Sequence, residues 1–168
     1  VTGTGNITIS SGSGNYGTTI STTSVNNVGT ITNSGAGTAV TNISSVIGTN
    51  VTGVVQNSAT SKLILYGANT FTGGLTIQAG IVEGQTSGSA FGGSGTGAIT
   101  LGHTSGSADA ELSGYANLTF ANPITVASGS SGILKISSGG NSSLITTFSG
   151  AISINRDLVI TTAGPSGP

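Results

Sequence analysis

Residues Leu65–Gly84 read LYGANTFTGGLTIQAGIVEG, and this stretch decides the fold. Glycine interrupts it repeatedly, and each interior glycine would cost a helix roughly 1 kcal/mol relative to alanine. Between the glycines, aliphatic residues alternate with small polar ones, as in Leu75-Thr76-Ile77. Alternation with a period of two residues, bounded by turn-forming residues, is typical of short β-strands. The stretch therefore predicts short strands that are separated by tight turns.

The rest of the chain has a similar composition. Its 168 residues include 30 glycines, 35% hydrophobic residues and only 4% charged residues, and the formal net charge is −1. Disordered chains are poorer in hydrophobic residues and richer in charge, so this chain can bury a thin core. Its β-branched aliphatic residues favour strands, and its length suits one domain.

The composition argues against several classes of protein. The three basic residues, Lys62, Lys135 and Arg156, are too few to form a nucleic-acid-binding patch. No apolar run approaches the ~20 residues of a membrane-spanning helix. Cysteine is absent, so no disulfide stabilises the fold. With so few charges, copies of the chain have little electrostatic reason to stay apart.

Strand signals with two or three inward-facing apolar positions recur along the chain. They lie at Ile7/Ile9, Leu63/Leu65, Leu75/Ile77, Ile99/Leu101, Leu112, Leu118/Phe120, Ile124/Val126, Leu134/Ile136, Leu144–Phe148, Ile152/Ile154 and Leu158/Ile160. Three such strands would form a coil of roughly 18 to 25 residues, which gives about 7 to 9 coils. We predict an all-β fold, a parallel β-helix or β-solenoid with short strands and corners rich in Gly, Asn and Ser. A β-sandwich would favour fewer glycines, larger aromatics and clearer two-residue hairpin turns.

The domain organisation follows from the regularity of these signals. Residues 61–164 are predicted to form the solenoid repeat region, and residues 165–168 a Pro/Gly tail. Residues 1–60 are less regular and are expected to be either atypical first coils or a separate small β unit. Their expected inward positions are Ile20, Val25, Val28, Ile31, Val40 and Ile43.

The run LILYGANTFTGGLTIQAGIV, residues 63–82, resembles the autotransporter-associated β-strand repeat, also called the passenger-associated transport repeat. Similar segments follow as AFGGSGTGAITLG at 90–102, ANPITV at 121–126 and TFSGAIS at 147–153. The resemblance covers about residues 61–162. It implies a parallel β-helix of the kind found in bacterial secreted or surface proteins, and it implies no particular ligand.

Two stretches contain residue types that could bind a metal or catalyse acid–base chemistry. Gly92–Thr100, GGSGTGAIT, lacks the aspartate of the calcium-binding nonapeptide because Gly97 occupies its position, so a plain turn is expected. His103, Asp109 and Glu111 lie close in sequence, and Asp109 and Glu111 would point to one side of a shared strand. A metal site or an acid–base pair is conceivable there, but a solvated surface cluster is the expected arrangement.

No catalytic, cofactor-binding or metal-binding residue is predicted, and the chain is not predicted to be an enzyme. The chain has four acidic residues, and the neighbours Arg156 and Asp157 would point to opposite faces. The single histidine has no clear acid and serine partners for a hydrolytic triad. A carbohydrate-active enzyme is therefore the least favoured class.

Other surface features have plain interpretations beside functional ones. The Thr-x-Thr pairs Thr2/Thr4, Thr30/Thr32 and Thr70/Thr72 are too irregular to predict an ice-binding ladder. The aromatic residues could form a sugar-stacking strip, but the phenylalanines are expected inside the coils and the tyrosines at edges. These residues are Phe71, Phe91, Phe120, Phe148, Tyr16, Tyr66 and Tyr115. Glycosylation sequons at Asn6, Asn42, Asn50, Asn117 and Asn141 are expected by chance in this composition.

The ends of a solenoid lead to the functional prediction. Soluble solenoids blunt their terminal strand edges with caps, charges or prolines, and only Pro165 and Pro168 could do so here. The leading interpretation is a structural, secreted protein, a self-assembling subunit of a bacterial surface fibre or matrix. Its partners would be other copies of itself, joined head to tail, with surface glycans as a further partner. The alternative is a stalk or adhesin passenger segment of a larger autotransporter-like surface protein.

Overall fold

The computed structural model describes residues 1–14, 16–115, 117–139 and 145–162. In these ranges the chain forms strands and turns and no helix, so none of its elements is a helix that could span a membrane. The strands are β1 (Ile7–Ser10), β2 (Thr18–Ile20), β3 (Ser24–Val25), β4 (Gly29–Ser34), β5 (Thr41–Ile43), β6 (Val46–Ile47), β7 (Val51–Asn57), β8 (Leu63–Leu65), β9 (Leu75–Gly84), β10 (Ile99–Leu101), β11 (Ala110–Tyr115), β12 (Thr119–Phe120), β13 (Ile124–Val126), β14 (Leu134–Gly139), β15 (Thr147–Phe148), β16 (Ile152–Ile154) and β17 (Val159–Thr162).

These strands stack in parallel to form three walls of a solenoid. The first wall has the order β1-β4-β7-β9-β10-β13-β16, and the second wall has the order β2-β5-β8-β9-β11-β14-β17. Strand β9 belongs to both walls, because its first half pairs with β7 and β10 and its second half with β8 and β11. The third wall is narrower and contains the pairs β3-β6 and β12-β15. The predicted parallel β-solenoid is confirmed.

The number of coils differs from the sequence-based expectation. The solenoid has about six turns, not 7 to 9. One turn takes between 21 residues, from Val54 to Leu75, and 28 residues, from Ile124 to Ile152. Coils are longer than expected because the connectors between walls add residues that carry no strand signal. At ~4.8 Å per rung, the first wall is about 29 Å long from β1 to β16.

Residues before position 60 pair within the same walls as the later strands. Of their expected inward positions, Val25, Ile31 and Ile43 are buried, and Ile20 and Val40 are half-buried. The expectation for Val28 is wrong, because 52% of this residue is exposed. Val28 lies at the corner between β3 and β4, where its backbone bridges to Thr4 and its side chain points outward. Leu144 and the tail 165–168 lie outside the described residues.

The interior is built from stacked rows of small aliphatic side chains. One first-wall row runs through seven rungs as Ile7, Ile31, Val54, Leu75, Ile99, Ile124 and Ile152. In the later coils, phenylalanines from the third wall fill the remaining space. The ring centroids of Phe91 and Phe120 are 4.5 Å apart, and those of Phe120 and Phe148 are 5.5 Å apart.

Glycines on the second wall make room for these rings. A Cβ added at Gly84 would lie 2.6 Å from Cζ of Phe91, and one added at Gly114 would lie 2.7 Å from Cε2 of Phe120. Real Cβ atoms do not approach that closely, so the two glycines and the phenylalanines form a size-matched set. This complementarity keeps the thin core free of voids.

A buried polar network occupies the interior of the early coils. Asn33 and Gln56 stand in the inward row that elsewhere holds Ile9 and Ile77. The Asn33 side-chain amide donates to Oε1 of Gln56 over 2.8 Å, and Nε2 of Gln56 donates to the carbonyl oxygens of Ser58 and Ser61. Because the polar atoms of these two side chains have partners, the network avoids the cost of unpaired buried groups.

Candidate assembly surface

The last rung of the solenoid exposes side chains that are buried in every preceding equivalent. Ile152, Ile154 and Ile160 occupy inward positions and are 36%, 60% and 73% exposed. Their partners one rung earlier, which are Ile124, Val126 and Ile136, are at most 3% exposed. Since all six point toward the interior, the difference arises because no further rung covers the last three within the described residues.

The backbone of this rung is open as well. In the described part of the chain, β16 pairs only with β13, and β17 pairs only with β14. Each strand therefore presents a row of unpaired N–H and C=O groups. Neither strand contains a charged residue, proline or bulge that would hinder pairing with another strand. The connector between them holds the charged pair Arg156 and Asp157.

The opposite end of the solenoid has the complementary edge. Strands β1 and β2 each pair on one side only within the described residues, and neither contains a charge. On the third wall, residues 1–5 form a further partial rung. The N–H of Asn26 donates to the Val1 carbonyl over 2.8 Å, and the N–H of Val28 donates to the Gly3 carbonyl over 2.8 Å. This end therefore begins with a step that follows the winding of the coils.

The residue rows match between the two ends. A copy whose β1 continued the first wall beyond β16 would place Ile7 beside Ile152 and Ile9 beside Ile154, because these pairs already share rows. On the second wall, Thr18 would lie beside Ile160. The end-to-end contact would thus extend the rows of the interior without a change of register.

Most of the charged side chains lie away from both ends, on the outer face of the second wall. Lys62 forms an ion pair with Glu83 at 3.0 Å, and Lys135 forms one with Glu111 at 2.6 Å. Each pair joins neighbouring rungs. The Ser137 hydroxyl also donates to Glu111, and the Gln85 side-chain amide donates to Glu83.

The structure brings together only two of the three residues His103, Asp109 and Glu111. Asp109 and Glu111 line one groove on the second wall with Lys135, as their spacing predicts. His103 does not line this groove, and its Nδ1 accepts a hydrogen bond from the Ser105 N–H over 3.0 Å. The described ranges contain no group of three or more His, Cys, Asp or Glu residues that could hold a metal ion.

The glycine-rich segment Gly92–Thr100 forms a turn followed by β10. Its turn is fastened by Asn122, whose side-chain amide donates to the carbonyl oxygen of Gly97 over 2.8 Å and to that of Gly93 over 3.3 Å. The sequons have local roles too, since Oδ1 of Asn6 accepts from the Thr30 N–H and Oδ1 of Asn117 from the Ile145 N–H. Asn42 is half-buried, Asn50 is exposed, and Asn141 lies outside the described residues.

Sequence reasoning missed an aligned row on the outer face of the first wall. The rungs place side by side Thr8, Thr32, Val55, Thr76, Thr100, Thr125 and Ser153. The recurrent triplet of an aliphatic residue, threonine and a further inward residue could have revealed it. Thr32 is the one member of the Thr-x-Thr pairs that lies in this row.

The aromatic side chains do not form an exposed strip. Phe71, Phe91 and Phe120 are fully buried and Phe148 is half-buried, as expected for residues that fill the coils. Tyr16 is 95% exposed, Tyr115 lies at the surface, and Tyr66 is half-buried.

The fold and its ends define the class of protein, which is a parallel β-solenoid with an uncovered last rung in its described residues. Comparisons with known proteins add no further identification: no family model, curated protein or solved structure matches the chain. The resemblance of residues 61–162 to the autotransporter-associated repeat remains a prediction from its motifs.

Proposed function

We propose that this chain is a structural protein whose copies join end to end through the rims of the solenoid. The proposal is carried by one observation: Ile152, Ile154 and Ile160 are exposed on the last rung, although their row neighbours in the preceding rung are buried. Burial of apolar surface yields roughly 25 cal/mol per Å², so covering these side chains is favourable. A second copy would cover them with Ile7 and Ile9 of its own first rung.

Backbone pairing would accompany this burial. Strands β16 and β17 offer open edges to β1 and β2 of the next copy, which is β-strand addition between subunits. The contact joins two different surfaces and leaves the same two surfaces free at the ends of the pair. Such a heterologous contact produces an open filament when its rotation does not close a ring.

The distribution of charge supports this mode of assembly. Five of the chain's seven charged residues, which are Lys62, Glu83, Asp109, Glu111 and Lys135, lie along the side of the solenoid, away from its terminal strands. The terminal strands β1, β2, β16 and β17 carry none. Charged edge residues are a common device against unwanted strand pairing, and these edges lack it.

We further propose that the assembly belongs to a secreted bacterial surface fibre or matrix. The support is the resemblance of residues 61–162 to a repeat of secreted and surface proteins, together with a neutral exterior rich in Ser, Thr and Asn. The stalk or adhesin interpretation has the same support, and in it the open rim would pair with a neighbouring coil of a longer polypeptide.

The substitution Ile160→Lys tests the assembly. Ile160 is 73% exposed in the single chain, so lysine there costs the fold little, whereas in the assembled rim it would bury a charge. We expect the unaltered chain to form rods with an axial repeat of about 34 Å, from seven rungs of ~4.8 Å, and the variant to remain monomeric. Sedimentation velocity over a wide concentration range and negative-stain electron microscopy measure both.

The matched control is Val46→Lys, which places the same charge on the side of the solenoid. Val46 is 37% exposed on β6, away from both rims, so this variant should assemble as the unaltered chain does. Uniform monomers of the unaltered chain at high concentration would contradict self-assembly and leave the stalk interpretation in its place. Equal assembly by Ile160→Lys would contradict the proposed interface.

A further inference from the structure

A groove on the side of the solenoid arises from a missing connector. Six coils, in their described residues, join the first wall to the second through a connector, at residues 11–17, 35–40, 58–62, 102–109, 127–133 and 155–158. The remaining coil has none, because β9 runs from one wall into the other. The connectors on either side of β9 therefore flank a notch, and the resulting groove has a volume of about 580 Å³.

Gly80 makes this sharp corner possible. Its φ is +74°, in the left-handed region that favours glycine, and a Cβ there would lie 2.0 Å from the carbonyl oxygen of Ser58. Its N–H donates to the carbonyl oxygen of Asp109 over 2.8 Å, so the corner is fixed to the next coil. The floor of the groove is therefore held in position by backbone contacts.

The groove combines apolar surface with both hydrogen-bonding functions. Ala59, Ile81 and Ile133 contribute apolar side chains. Oδ1 of Asp109 accepts from the Ile133 N–H over 2.7 Å, and Oδ2 has no partner among the described residues. The Lys135 ammonium binds Glu111, which leaves N–H groups that can donate elsewhere.

We propose that this groove binds a neutral saccharide chain. Sugars present apolar C–H faces together with hydroxyls that both donate and accept, which matches the aliphatic side chains, the Asp109 carboxylate and the Lys135 ammonium. Two carboxylates and one ammonium give the lining a net negative charge, which disfavours acidic sugars. The volume lies within the range of small-molecule sites, roughly 300–1,000 Å³.

Two other ligand classes fit this groove less well. A metal ion would find one free carboxylate oxygen, and calcium takes 6–8 oxygen ligands in typical sites. An extended peptide would need an open strand edge, yet β9, β11 and β14 are each paired on both sides. The site also lies away from both rims, so its ligand does not depend on assembly of the chain.

The test is titration with neutral tetrasaccharides of glucose, xylose, mannose, galactose and N-acetylglucosamine, and with tetragalacturonate as the acidic probe. Binding is followed by calorimetry and by amide chemical shifts. We expect one or more neutral probes to bind and to shift the amides of Gly80 and Ala110. Asp109→Asn should weaken that binding about tenfold or more, because a hydrogen bond to a charged acceptor is lost. Ala59→Trp should abolish it by filling the groove.

The control is Asp157→Asn, which neutralises an exposed carboxylate in the last connector and should leave the affinity unchanged. Circular dichroism should be the same for all three variants, since Ala59 and Asp109 are exposed. Absence of binding by every neutral probe at millimolar concentration would overturn the proposal. So would binding that neither Asp109→Asn nor Ala59→Trp weakens, or tighter binding of tetragalacturonate than of any neutral probe.

Discussion

Replacing Phe120 by alanine is expected to lower the free energy of unfolding by about 3–5 kcal/mol, the usual cost of truncating a buried phenylalanine. Phe120 is 1% exposed and stacks between Phe91 and Phe148. The variant therefore loses two ring contacts and leaves a cavity against Gly84 and Gly114, whose missing side chains cannot fill it. Urea denaturation followed by circular dichroism measures the change.

The matched control is Tyr16→Ala, which removes an aromatic side chain that is 95% exposed. We expect its effect to stay within about 0.5 kcal/mol, as for most surface substitutions. If both substitutions cost the same, the stack of phenylalanines would not be the core of the later coils.

The second large effect concerns the polar interior of the early coils. Gln56→Leu preserves most of the side-chain volume but removes the partner of the Asn33 amide and of the carbonyl oxygens of Ser58 and Ser61. Leaving a buried polar group unpaired costs about 1–3 kcal/mol, so we expect a total loss of roughly 3 kcal/mol or more. Thermal and urea denaturation would report it.

A double-substitution cycle separates the network from simple loss of packing. Asn33→Leu combined with Gln56→Leu removes both partners of one hydrogen bond, so the double variant should lose less stability than the sum of the single variants. Strict additivity would show that the two side chains do not act together. Asn57→Leu, at an exposed position on the same strand, controls for the added hydrophobic side chain.

Much of the fold could be predicted from the sequence because the solenoid repeats a local pattern. Triplets such as Leu75-Thr76-Ile77 and Ile99-Thr100-Leu101 specify a strand and its inward face together, and the structure pairs these two triplets directly. Glycine and asparagine at corners then predict where the strands end. The burial of the phenylalanines follows from the same reasoning, since a chain with so few large side chains needs them in its core.

The features that escaped prediction depend on contacts between coils. The glycine at position 80 indicated a turn, but the structure continues β9 through it with a change of wall. Asn33 and Gln56 carry polar side chains in inward positions, so an apolar pattern cannot identify them. The spacing of Asp109 and Glu111 placed both on one side of a strand, but the contribution of Lys135 to their groove required the register of β14 against β11.

Spin-label distances along the first wall test the stacking of coils most directly. The chain contains no cysteine, so cysteine pairs introduced at Thr8 and Thr100, Thr8 and Thr125, and Thr8 and Ser153 can be labelled without interference. Double electron–electron resonance on dilute samples should give separations that grow by ~4.8 Å per rung, to about 19, 24 and 29 Å. Distances that do not increase in this order would contradict a parallel solenoid.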